Sequence, residues 1–146
     1  MAVTVLIRGL EKLARAAEEA DRARRLLHEA VKKESQDFMN RIVRTSKTDY
    51  LSGGGDGRLK VRTGRLRSSI TGTVAEEGSD LVIQVGTDVP YAPIHEFGGQ
   101  TGRGGRVHIR ARPFLGRSFA DEKEGFITRI EGLLQRVSEG INAAGQ

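Results

Sequence analysis

Residues 10–51 contain neither proline nor glycine, and that uninterrupted stretch limits the possible folds more than any other feature of the chain. Within it and just ahead of it, Leu6, Leu10, Leu13, Ala17, Ala20, Leu27, Val31, Phe38 and Ile42 recur largely at alternating steps of four and three, broken once at Arg24. This spacing places apolar side chains on a single helical stripe, with charged residues on the other faces. It predicts one long N-terminal helix within residues 1–50. A helix of roughly 40 residues is about 60 Å long, more than one small core can cover. The narrow, alanine-rich seam therefore calls for a second helix, from this chain or from a neighbouring copy.

A partner helix is written at the other end. Pro113 suits the first turn of a helix. Leu115, Phe119, Phe126, Ile127, Ile130, Leu133, Leu134, Val137 and Ile141 then follow at mostly three-and-four spacing, predicting a helix over 113–142. Between the two helices, LSGGGDGR predicts a flexible loop over 51–62. Residues 63–112 form the sheet region. TGRLRSSI suggests a capping threonine and a short turn, and SSITGTVAEEG with SDLVIQVGT predicts a hairpin whose Leu81, Ile83 and Val85 share one face. PYAPIHEF reads as one or two helical turns ended by Gly98 and Gly99, and VHIRA as a third strand. The expected fold is a single α+β domain over 1–146, with a small antiparallel sheet packed against a long N-terminal helix and a C-terminal helix.

Charge is unevenly placed. The chain has 24 Lys and Arg against 19 Asp and Glu, a net +5. RLKVRTGRLR at 58–67 holds Arg58, Lys60, Arg62, Arg65 and Arg67 with no acid, and residues 103–117 hold Arg103, Arg106, Arg110, Arg112 and Arg117, again with no acid. Such blocks suit a polyanion or an acidic protein surface, and are equally common as solvated loops. Apart from Phe114, no aromatic residue interleaves with them, which argues against a base-stacking platform. Cysteine is absent, so disulfides and thiolate metal sites are excluded. No apolar run is long enough to span a membrane. The first arginine follows the N-terminal apolar run rather than preceding it, opposite to a signal peptide, so the expected compartment is the cytoplasm.

YAPIHEFGG at 91–99 concentrates the chain's reactive side chains, and enzyme chemistry is the first possibility to weigh. Ser68, Ser69, His95 and Asp88 could in principle supply a nucleophile and a base. Neither serine lies in a Gly-x-Ser-x-Gly elbow. His95, Glu96 and His108 could approach one another, yet the residue four beyond His95 is Gly99, so the zinc-hydrolase spacing fails. No P-loop follows the glycine-rich segments. The non-catalytic alternative explains more residues: Tyr91, Ile94 and Phe97 lie three apart and would form an apolar face capping the sheet edge, leaving His95 and Glu96 to point toward solvent or another subunit.

TGRLRSSI at 63–70, YAPIHEFGG at 91–99 and ARPFLG at 111–116, in that order, resemble the bacteriophage virion-morphogenesis family. These are tail-completion proteins of long-tailed phages, similar to the head–tail joining neck proteins. The matching positions are Thr63, Gly64, Leu66, Ser69, Tyr91, Ala92, His95, Glu96, Phe97, Gly98, Gly99, Arg112, Pro113 and Phe114. The resemblance implies a structural virion protein rather than an enzyme, with no cofactor and no small-molecule substrate. It implies a homo-oligomeric ring at the neck or tail end, in contact with neck and tail-tube proteins and assembled in the host cytoplasm. A tail terminator capping the tube is the neighbouring reading, and a nucleic-acid-binding module a more distant one, since no recognition helix or zinc motif is visible.

A ring requires a heterologous interface. The expected assembly residues are Tyr91, His95, Glu96, Phe97, Arg103, Arg106, Arg110, Arg112 and Leu27, with the first helix packed on the last and part of its stripe on a neighbour. Arg58, Lys60, Arg103 and Arg106 are the candidates for transient contact with passing DNA.

Overall fold

A computed structural model describes residues 1–8, 21–54 and 59–144. Strand β1 (Ala2–Ile7) precedes helix α1 (Asp21–Thr45), which runs into a π-helical turn at Ser46–Tyr50. Helix α2 (Arg65–Ser69), strands β2 (Thr71–Glu77) and β3 (Asp80–Gly86), helix α3 (Ala92–Phe97), strands β4 (Gly99–Thr101) and β5 (Val107–Ile109) and helix α4 (Leu115–Ala144) follow. The α+β architecture expected from sequence is the one observed.

Two expectations need correction. Residues 2–7 do not belong to the long helix. Val3, Val5 and Ile7 alternate with Ala2, Thr4 and Leu6, and the strand pairs antiparallel with β3 from Ala2↔Gly86 to Ile7↔Leu81. β-branched residues at period two fit a pleated, half-buried surface better than a helix. Leu6, assigned to the helical stripe, consequently faces outward at 38 % exposure. Leu10, Leu13, Ala17 and Ala20 lie outside the described residues. The third strand of the main sheet is therefore β1, in the order β1-β3-β2, and Val107–Ile109 instead pairs with Gly99–Thr101 in a separate ribbon. With β1 and β2 on its two sides, β3 has no edge left for VHIRA.

The inner face of the sheet carries rows set by register: Val3, Val85 and Gly72, then Val5, Ile83 and Val74. Against it lies the helix pair. Leu27, Val31, Phe38 and Ile42 are all buried, so the described part of the α1 stripe is core. Phe38 stacks on Phe126 at 4.2 Å and meets Phe119 edge-on at 6.0 Å. Gly72 lets the helix come this close, because a Cβ there would stand 2.6 Å from Met39 Cγ.

Polar contacts complete the seam where the helices cross. Ser46 Oγ and Ser118 Oγ are 2.9 Å apart and buried, and Ser118 Oγ donates to Phe114 O. Glu34 accepts from both Arg41 (2.6 Å) and Arg129 (2.5 Å), while Glu122 accepts from Thr45 (2.9 Å) and lies 3.4 Å from Arg41 Nε. Small hydroxyls at the closest approach and paired charges at the rim answer the polar groups where the two long helices pack, except that the buried Arg41 Nε meets Glu122 as an ion pair without a hydrogen bond.

Candidate assembly surface

The N-terminus of α4 leaves backbone amides without intrahelical acceptors, and these would be costly to bury unpaired. Glu96 meets that need. Its carboxylate accepts from Phe114 N (2.8 Å), Leu115 N (3.1 Å) and Gly116 N (2.8 Å), and it is buried at 6 % exposure. A negative group at this end also complements the helix dipole. This reverses the expected orientation of α3. Ala92 and Glu96, one helical turn apart, face inward, whereas Tyr91 and Phe97 face out at 41 % and 72 % exposure. Apolar spacing predicted the wrong face because three bonded amides outweigh the burial of one aromatic ring in so short a helix.

The two motifs flanking this contact form a single lock. Arg112 N donates to His95 O at 2.7 Å. Gly98 sits at φ 72, where a Cβ would lie 2.8 Å from Ala111 N and 2.9 Å from Ile109 O. Only glycine allows both that backbone conformation and that approach. Beyond the lock the β4–β5 ribbon projects, carrying Arg103, Arg106 and Arg110 into solvent. Val107 on the same ribbon is 53 % exposed.

The third motif builds the neighbouring wall. Gly64, not Thr63, occupies the N-cap of α2. The Thr63 hydroxyl still accepts from Arg65 N at 3.3 Å, so it orders the approach to the helix rather than capping it. Ser69 Oγ pairs with Thr87 Oγ1 at 2.6 Å, and Thr87 Oγ1 in turn accepts from Val89 N. Both hydroxyls are thereby committed to structure. His95 stands edge-on to Tyr91 at 6.0 Å, with its pKa held below the ordinary value by burial and then by Arg112. Among the described residues, no three His, Asp or Glu side chains gather as a metal site would require.

Between α2, the 59–63 segment and α3 lies a groove of about 420 Å³. Leu51, Leu59, Val61 and Leu66 line it with Tyr91 and His95, and Lys60, Arg62, Arg65 and Arg67 supply its charge. Arg62, Arg65 and Arg67 were visible in sequence as a basic block, but nothing local showed that they border an apolar cleft shared with Tyr91. Arg58 lies outside the described residues. Leu27, expected at an interface, is instead spent within the chain against Val31 and Leu81. Glu96 is likewise consumed internally.

The ion pairs divide the molecule. Those among the described residues join His28, Lys32, Lys33, Arg41 and Arg129 to carboxylates on α1, β2 and α4. None involves Lys60, Arg62, Arg65, Arg67, Arg103, Arg106, Arg110 or Arg112. The α2–α3–ribbon end thus presents uncompensated cations beside exposed Tyr91, Phe97 and Val107. Aromatic and arginine side chains are the residue types that interfaces favour.

No helix of the described residues is long and apolar enough to cross a membrane. No solved structure matches the chain. The chain is 40 % identical over 70 residues to the Mu-like prophage FluMu G protein 2 of Haemophilus influenzae, a stretch covering 46 % of this chain and 51 % of that protein. It thus spans about half the length of this curated relative. Residues 40–136 match the phage virion morphogenesis family, a span that takes in the C-terminal end of α1, the β2–β3 hairpin, all three motifs and most of α4. The chain belongs to the phage virion morphogenesis family.

Proposed function

We propose that this protein is a structural component of the phage neck or tail end. It completes the tail and joins it to the head as part of a homo-oligomeric ring, assembled in the host cytoplasm and retained in the virion. The observation that carries this reading is the end of the molecule bearing exposed Phe97 and Tyr91 together with arginines that form no ion pair among the described residues. Motif residues with reactive side chains, Glu96 and Ser69, are consumed in hydrogen bonds that hold this end rigid, which supports a binding role over a catalytic one. A rigid patch of aromatic and arginine side chains fits a heterologous contact, in which one face of a copy meets a different face of the next.

The test is the mass of the purified protein by light scattering, alone and with its tail-tube neighbour. A ring-sized species in either sample is the expected result. A strict monomer that ignores the tail tube would overturn the joining role.

A further inference from the structure

The groove beside α2 combines a cationic rim with an apolar interior. Its rim carries Lys60, Arg62, Arg65 and Arg67, and no carboxylate among the described residues lines it. None of these cations has an ion-pair partner among the described residues. Its interior is apolar: Leu51 and Leu59 are buried in its base, while Val61 remains 45 % exposed and Tyr91 41 %. Four like charges crowded around uncovered apolar surface repel one another and leave that surface wet, a costly arrangement for the free chain.

The walls are also held in place. Leu59 N donates to Tyr50 O at 3.2 Å, Ser68 N to Gly64 O at 2.8 Å, and Ser69 ties α2 to Thr87. A preformed cleft of this size lies within the range of ordinary ligand pockets and loses little freedom on binding.

We infer that this groove receives an acidic segment of a partner protein, with one large apolar side chain seated on Val61, Leu66 and Tyr91 and flanking carboxylates paired with the rim arginines. Charge complementarity selects an anion, and the apolar floor selects a peptide over a nucleic-acid backbone. A phosphate chain would leave Val61 and Tyr91 uncovered, and stacking of successive bases needs a file of open aromatic faces, whereas Tyr91 and His95 meet edge-on here. Planar guanidinium groups suit bidentate pairing with carboxylates. The biological setting rests on the assembly reading above, and the groove names the chemistry of one contact in that assembly.

Binding is measured on the isolated full-length chain, so it stands or falls separately from ring formation, which light scattering reports. The probe is a fluorescein-labelled peptide of Glu and Asp residues around a single Phe, followed by anisotropy. Controls are the same peptide with Ala for Phe and a labelled DNA duplex. Saturable binding of the Phe peptide is expected, weakened roughly tenfold by Arg65→Glu with Arg67→Glu and to a similar extent by loss of the Phe anchor. Arg103→Glu with Arg106→Glu makes the same charge change on the ribbon and is expected to leave binding within about twofold. Equal affinity for both peptides, equal loss in the two double variants, tighter binding of the duplex than of the Phe peptide, or no saturation would each overturn the inference.

Discussion

The helical seam and the α2–α3–ribbon end use similar residues to opposite purposes. In the seam, Glu34 and Glu122 answer Arg41 and Arg129, and Phe38, Phe119 and Phe126 cover one another. At the other end, the arginines have no ion-pair partner among the described residues and Phe97 stands 72 % exposed. One region has satisfied its own chemistry and stabilises the fold. The other has been left unsatisfied on a rigid base, the condition in which a surface gains most from a partner. Glu96 lies on the border, a charged residue that looks functional in sequence and acts as scaffold.

The contrast can be broken most forcefully inside the seam. Leu27→Asp places an unpaired charge among Val31, Leu81 and the α4 leucines and should cost about 3–5 kcal/mol. Urea unfolding would then show a chain near or past its stability limit, unable to assemble. Normal folding and ring formation in that variant would show that the seam is not the stabilising region. A step down, Glu96→Ala strands three amides at the start of α4 and should cost about 2–4 kcal/mol. Glu96→Gln keeps an acceptor oxygen and should lose less. If both variants melt like the parent, the border between the regions is drawn in the wrong place.

Gly98→Ala should cost about 1–3 kcal/mol, since it forces a left-handed conformation and a clash with residues 109–111. Its hydrogen exchange should rise in β4 and β5 while α1 stays protected, sharpening the division. The smallest effect is titration of His95. Its folded pKa lies below the ordinary 6.5, because burial and then Arg112 oppose protonation. As pH falls through 6.5 the unfolded chain takes up the proton first, so stability declines from there down to the folded pKa. His95→Gln should flatten that part of the stability curve, and an unchanged slope would assign it to another group.

Much of the fold was legible because its signals are local. Leu27, Val31, Phe38 and Ile42 keep one helical face whatever surrounds them, and Leu81, Ile83 and Val85 keep one strand face. Pro113 and Gly98 marked the ends of elements they do flank. The misreadings share a cause. At residues 2–7 the helical spacing of Leu6 competed with the alternation of Val3, Val5 and Ile7, and pairing with a strand some eighty residues away decided between them. In α3, apolar spacing pointed Tyr91 and Phe97 inward, whereas the acceptors needed at the start of α4 turned Glu96 inward instead. Of the candidate site, the basic blocks and the exposed aromatics could each be found in sequence. Their meeting around a shared cleft could not.

By itself the sequence determined that two amphipathic helices would flank a small antiparallel sheet, because hydrophobic periodicity is carried by neighbours along the chain. Tertiary structure alone decided which strand completes the sheet, that Glu96 serves the amides of residues 114–116, and that Arg62, Arg65 and Arg67 border the same groove as Tyr91. The physical reason is that a backbone N–H has no letter of its own: its need for a partner appears only once the chain has folded around it.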